Sequence, residues 1–165
     1  MTRIAIMREF VEYHLAMTRR VWDSIDRITE AQFLADDAYS RGSIRNLMAH
    51  LANTDRRWLN GLKGLPDIAR ELPKFEAYPD RAGLRAYWES VAGEVAEYVN
   101  GLSQEELEEE APGLPARGLI LLHMINHGTD HRATVLQRLH LLSAPTFDQD
   151  LILWLWERGG DDGRS

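Results

Sequence analysis

Four long stretches of this chain place apolar residues at three- and four-residue steps, and no stretch alternates apolar with polar residues as a half-buried strand does. The first runs from Ile4 to Ile28, with Met7, Phe10, Val11, Leu15, Val21, Trp22 and Ile25 on one side. The second follows Ser43, a residue suited to cap a helix, and carries Ile44, Leu47, Leu51, Trp58 and Leu62. Asp80 opens the third, with Leu84, Tyr87, Trp88, Val91 and Val95, and it ends near Asn100-Gly101. The fourth starts near Pro115, a residue that fits a first helical turn, and continues to about Leu142. Each helix must bury its stripe against another, so the expected fold is all-α, a four-helix bundle.

The segments between them add detail. Thr29-Glu30-Ala31-Gln32 and Ser103-Gln104-Glu105-Glu106 both have the form of a capping box, which predicts short extra helices. Asp148 to Arg158, with Leu151, Ile152, Trp154, Leu155 and Trp156, suits another. Gly64 to Pro79 holds three prolines and no period, and reads as a long connection between helices 2 and 3. Its reach of roughly 50 Å exceeds the ~30 Å length of a helix of about 20 residues. Helices 2 and 3 can therefore be parallel. The chain of 165 residues is expected to form one domain, 1–165, with 159–165 as a frayed tail.

The five tryptophans, Trp22, Trp58, Trp88, Trp154 and Trp156, are expected to fill core or subunit contacts. The chain has no cysteine, which excludes disulfides and thiolate metal sites and leaves His, Asp and Glu as the strong ligands. A formal charge of −7 opposes nucleic-acid binding, and no apolar run approaches the ~18 residues of a membrane span. The early charges at Arg3, Arg8 and Glu9 do not suit a secretory signal. A soluble, acidic, cytoplasmic protein acting on a small molecule, with no nucleic-acid or membrane partner, is the expectation.

Chemistry concentrates in the fourth stripe, where His123, His127 and His131 recur every four residues. Residues four apart lie one above the other on a helix, so two such imidazoles can reach one ion. His123 and His131 are about 12 Å apart along the axis, too far to share it. The pair is therefore His123/His127 or His127/His131, and the third ligand is His50 or His14, each on an inner stripe of another helix. His14 is otherwise read as a polar core residue.

His123-Met124-Ile125-Asn126-His127-Gly128-Thr129-Asp130-His131-Arg132 resembles the last-helix signature of the DinB/YfiT-like metalloprotein superfamily. Ser43-Ile44-Arg45-Asn46-Leu47-Met48-Ala49-His50-Leu51-Ala52-Asn53, followed by Trp58-Leu59, resembles its second-helix motif, and Asp150 to Trp156 its C-terminal apolar segment. The resemblance implies an up-down-down-up bundle, a homodimer, and His50, His127 and His131 as ligands of a divalent metal, with zinc and nickel the leading choices. His123 then sits one turn away. The chain departs from the family at His131-Arg132-Ala133-Thr134, where relatives often continue with Gly-Gln.

Three neutral imidazoles leave the ion its full charge and an open position, as in catalytic zinc sites. Such a site ionises a bound water or thiol. Without cysteine in the chain, a thiol has to come from a low-molecular-weight cosubstrate, and the resemblance implies transferases or isomerases of that kind. Metal-assisted hydrolysis is the second expectation, with Asp55 and Asp130 as the nearest carboxylates, although both read first as solvated surface charges. A non-enzymatic stress-related metal-binding protein is the third. Arg132 lies about 100° from His131 around the helix and is expected in a salt bridge or dimer contact. Trp58 is placed to wall a pocket.

Overall fold

The computed structural model describes residues 1–37, 40–66 and 72–159. Its helices are α1 (Arg3–Ile25), α2 (Glu30–Leu34), α3 (Ile44–Leu62), α4 (Arg81–Gly101), α5 (Gln104–Glu108), α6 (Arg117–Leu141) and α7 (Leu151–Gly159), with a 3-10 turn at Phe75–Ala77. The described residues contain no strand, only an isolated bridge between Glu110 and Ala116. The all-α expectation holds. The expected tail lies outside the described residues except for Gly159, which closes α7.

Local sequence sets most of the boundaries. Ser43 and Asp80 accept from the backbone N–H groups of Asn46 and Gly83, capping α3 and α4. Both capping boxes form, Thr29 with Gln32 and Ser103 with Glu106. Helix α1 stops three residues short of the expected Ile28, although Ile28 still reaches the core. Helix α7 starts at Leu151, three residues after the expected Asp148.

The long helices pack in a closed cycle: α1 against α4 and α6, and α3 against the same two. Trp22 and Trp88 are fully buried at the α1–α4 contact, their rings 6.3 Å apart, and Phe33 lies 6.3 Å from Trp22. Trp154 is buried against Tyr13, whereas Trp156 is 42% exposed.

Neither α1 nor α4 has a basic residue in its last turn to meet its terminal carbonyls. Each receives one from the other. Arg8, near the start of α1, donates to the carbonyls of Asn100 (3.1 Å) and Leu102 (2.9 Å) at the end of α4. Arg81, the first residue of α4, donates to those of Ile25 (2.6 Å), the last residue of α1, and Ile28 (2.9 Å), just beyond it. A cation at a helix C-terminus satisfies orphan carbonyls and opposes the helix dipole.

Helix α3 is tied to α4 by a bidentate ion pair, Arg56 to Glu94 at 2.7 Å on both arms, which holds the Glu94 carboxyl down at about 2. Asn53 accepts from Tyr87 and donates to the Pro73 carbonyl, fastening the far end of the long connection to α3. No described helix is long and apolar enough to cross a membrane.

Arg81→Ala should lower unfolding free energy by about 1–3 kcal/mol, the usual worth of hydrogen bonds from a charged donor. Urea denaturation should show this as a lower midpoint with an unchanged slope.

Candidate metal centre

Histidines 127 and 131 belong to α6 and His50 to α3. The four-residue step brings the His127 and His131 rings to 4.4 Å between centroids. The His50 ring lies 5.0 Å from His127 and 4.8 Å from His131. One ring nitrogen from each of the three falls within 4.8 Å of the others. His50 Nε2 and His127 Nε2 face each other at 3.1 Å. Two nitrogens on a tetrahedral ion at ~2.1 Å would stand roughly 3.4 Å apart, close to the His50–His127 separation, so the donor set is compatible with one divalent metal.

The other two histidines of the sequence argument lie elsewhere. His123, placed on the apolar side by the periodicity, is exposed and meets the edge of Trp58 with centroids 5.1 Å apart. Trp58 is half-buried there, so these two rings form a lip one turn from the cluster. His14 is buried, as expected of a polar core residue, and is not among the clustered rings.

Two charged residues are placed differently from their sequence reading. Asp55 is not a solvated surface charge: it is 3% exposed, and its Oδ2 lies 3.2 Å from His14 Nε2. Arg132 makes neither a surface salt bridge nor an exposed contact. It is 0% exposed, and its guanidinium donates to His14 Nδ1 at 2.9 Å, to Thr18 at 3.2 Å, to Thr129 at 3.1 Å and to Gln149 at 3.1 Å. Because Arg132 only donates, His14 Nδ1 must accept, which puts the imidazole proton on Nε2, aimed at Asp55. A neutral histidine thus joins a buried cation to a buried anion. Burial pushes the Arg132 guanidinium below its ordinary range. Asp130, by contrast, is exposed, as expected.

Space for this network comes from Gly128, between the two α6 histidines. A Cβ there would overlap the His14 imidazole and crowd Arg132 Nη1 at 2.9 Å. Glycine inside a helix costs about 1 kcal/mol relative to alanine, so its presence marks a close approach. That glycine was the available signal for the Arg132 network. For Asp55 the signal was its step of four from both Leu51 and Leu59, which sets it on the inner stripe.

The Oδ1 of Asp55 and the Nδ1 atoms of His127 and His131 are buried without hydrogen-bond partners among the described residues. An imidazole that binds metal through Nε2 carries its proton on Nδ1 and aims it at an acceptor. The Asp55 charge acts on His127 in the matching sense, favouring its protonated form.

Burial sets the protonation of the cluster. It is the largest cause bringing His50 from 6.5 down to about 3, followed by the charge of Arg41 and then those of His127 and His131. Burial and the His131 charge take His127 to about 4, and burial lowers His131. All three rings are thus neutral at pH 7, as metal ligation through nitrogen requires.

The sign of the linkage is fixed by these shifts. The unfolded chain takes up protons near 6.5, while the folded one resists until about 3 for His50 and about 4 for His127. Stability of the metal-free protein should therefore be complete above 6.5 and fall on acidification toward those values. Thermal melts across this range should show a smaller loss in His50→Gln, and ring-nitrogen NMR should find His50 and His127 still neutral at about pH 5.

Comparison with known proteins adds the family. No curated protein matches the sequence. The family model described as DinB family matches residues 1–157, which include α1 to α6 and most of α7. The chain belongs to the DinB family.

Proposed function

We propose that His50, His127 and His131 hold one divalent ion, zinc or nickel, and that the loaded protein is a transferase or isomerase that uses a low-molecular-weight thiol on an electrophilic small molecule. The observation that carries the reading is the convergence of three neutral imidazoles that are each only half-buried. A site made to fasten two helices would be closed, and the half-burial of all three rings favours one open to a ligand. A divalent ion held there supplies Lewis acidity toward a thiol or a water.

The chain's own residues favour the thiol. Hydrolysis calls for a base beside the ion, and Asp55 is committed to His14 in the interior while Asp130 faces solvent. Asp55 serves better as a buried charge that steadies His127. The thiol itself comes from the cosubstrate, since the sequence has no cysteine. Trp58 and His123 supply an aromatic wall against which an electrophile can lie.

The reading extends to architecture. The contacts of Arg8 with Asn100 and of Arg85 with Asp23 make α1 and α4 antiparallel, and those of Asn53 with Tyr87 and of Tyr98 with Leu62 make α3 and α4 parallel. His50 beside His131 and Trp58 beside His123 run in opposite senses along α3 and α6, which supports an up-down-down-up four-helix bundle. Exposed Ile6, Leu119 and Leu122 line an apolar groove that a second copy would cover in a homodimer.

The metal-stripped protein should bind one equivalent of zinc or nickel by calorimetry. His127→Ala should lose at least about 100-fold in affinity, since losing even a group that orients a ligand costs about 10–100-fold. Stoichiometric metal in that variant overturns the site. Metal-dependent loss of thiol in the presence of a generic electrophile supports the transferase, and no turnover across a broad thiol panel leaves the ion a structural role.

A further inference from the structure

The segment before α3 brings a cation to the histidine cluster. Arg41 Nη2 lies 3.2 Å from His50 Nε2, the same nitrogen that faces His127. Its place is set by the backbone around it. The Arg41 carbonyl accepts from Asn46 Nδ2 at 2.9 Å, which ties it to the first turn of α3. Gly42 follows with φ of +84°, a conformation suited to glycine, and the Asp36 carboxylate fills the space where a Cβ would stand. The Gly42 carbonyl accepts from Arg138 of α6, which also pairs with Asp37 at 2.7 Å. The turn is thus anchored to both helices that carry the three histidines, and Arg41 reaches the cluster from an exposed position.

Among the described residues no carboxylate pairs with Arg41. The negative groups that act on the cluster, Asp55 on His127 and Asp130 on His131, make no ion pair with it. A guanidinium next to a tri-histidine metal centre adds positive charge where the ion already carries two. Like charges held this close repel, and an anion that touches both relieves the repulsion. A guanidinium presents its donors in a planar fork that matches a carboxylate.

We propose that Arg41 is a specificity residue of this centre, selecting small-molecule ligands that bear a carboxylate and coupling their binding to that of the metal. The inference rests on the tri-histidine reading and adds to it the charge class of the ligand. Linkage makes the coupling reciprocal: the carboxylate ligand tightens metal binding to the same degree that the metal tightens ligand binding.

The test uses cobalt(II)-loaded full-length protein, whose visible spectrum reports both metal occupancy and ligand entry. The probes are 3-mercaptopropionate, 2-mercaptoethanol and cysteamine, thiols of similar size with negative, neutral and positive tails. Wild type should bind 3-mercaptopropionate about tenfold more tightly than cysteamine, the worth of one charge-assisted hydrogen bond. Arg41→Met should take up cobalt at least as tightly and bind the three thiols alike, and Arg41→Lys should restore part of the preference. Cobalt uptake with the same thiol preference in wild type and Arg41→Met overturns the inference alone. Loss of cobalt binding in Arg41→Met, with unchanged circular dichroism, also overturns it, because the side chain would then support the metal. No cobalt uptake by wild type overturns the centre and this inference together.

Discussion

A fully buried guanidinium leaves a helical protein few arrangements. Arg132 has only donors, and each must meet an acceptor or cost free energy on the order of 1–3 kcal/mol. Its acceptors come from α1 (His14, Thr18), from its own helix (Thr129) and from the segment after it (Gln149). His14 passes the demand on to Asp55 of α3. Three long helices are therefore held in one axial register by one connected set of hydrogen bonds, and a slide of any of them would strand a charge in the interior. The histidines inherit that register, since His127 and His131 flank Gly128 and His50 stands on the same helix as Asp55.

The two polar clusters divide the charge between them. In the inner one a cation and an anion are both buried and are joined by a neutral imidazole. In the outer one three imidazoles are kept neutral by partial burial and by a nearby arginine, with no carboxylate among them. The inner cluster stays internally balanced, while the three rings of the outer one bring no charge of their own.

Much of this was legible from residues. The capping boxes at Thr29 and Ser103 formed as their spacing required, because a capping box is a local contract between residues three apart. The four-residue step of His127 and His131 was enough to place their rings together, while His50 was selected from the alternatives by the resemblance of its motif. Asp55 and Arg132 were misread for a shared reason: charge predicts exposure unless partners on other helices are known, and those partners lie 41 and more positions away in sequence. Arg41 left no periodic signal, since its place depends on a turn fixed by Gly42 and by Arg138 from a distant helix. The reciprocal arginine caps were equally hidden, because each joins residues that only the packed pair of helices brings together.

Gly128 gives the arrangement a property that belongs to a pair of positions rather than to either alone. The imidazole of His14 occupies the volume a side chain at 128 would need, so α1 and α6 share one fixed space there. A larger residue on α6 can be accommodated only by a smaller one on α1, and a smaller residue on α1 leaves a gap that only growth on α6 can fill. Because His14 also links Arg132 to Asp55, a change at 128 is coupled through that shared volume to the whole buried polar set.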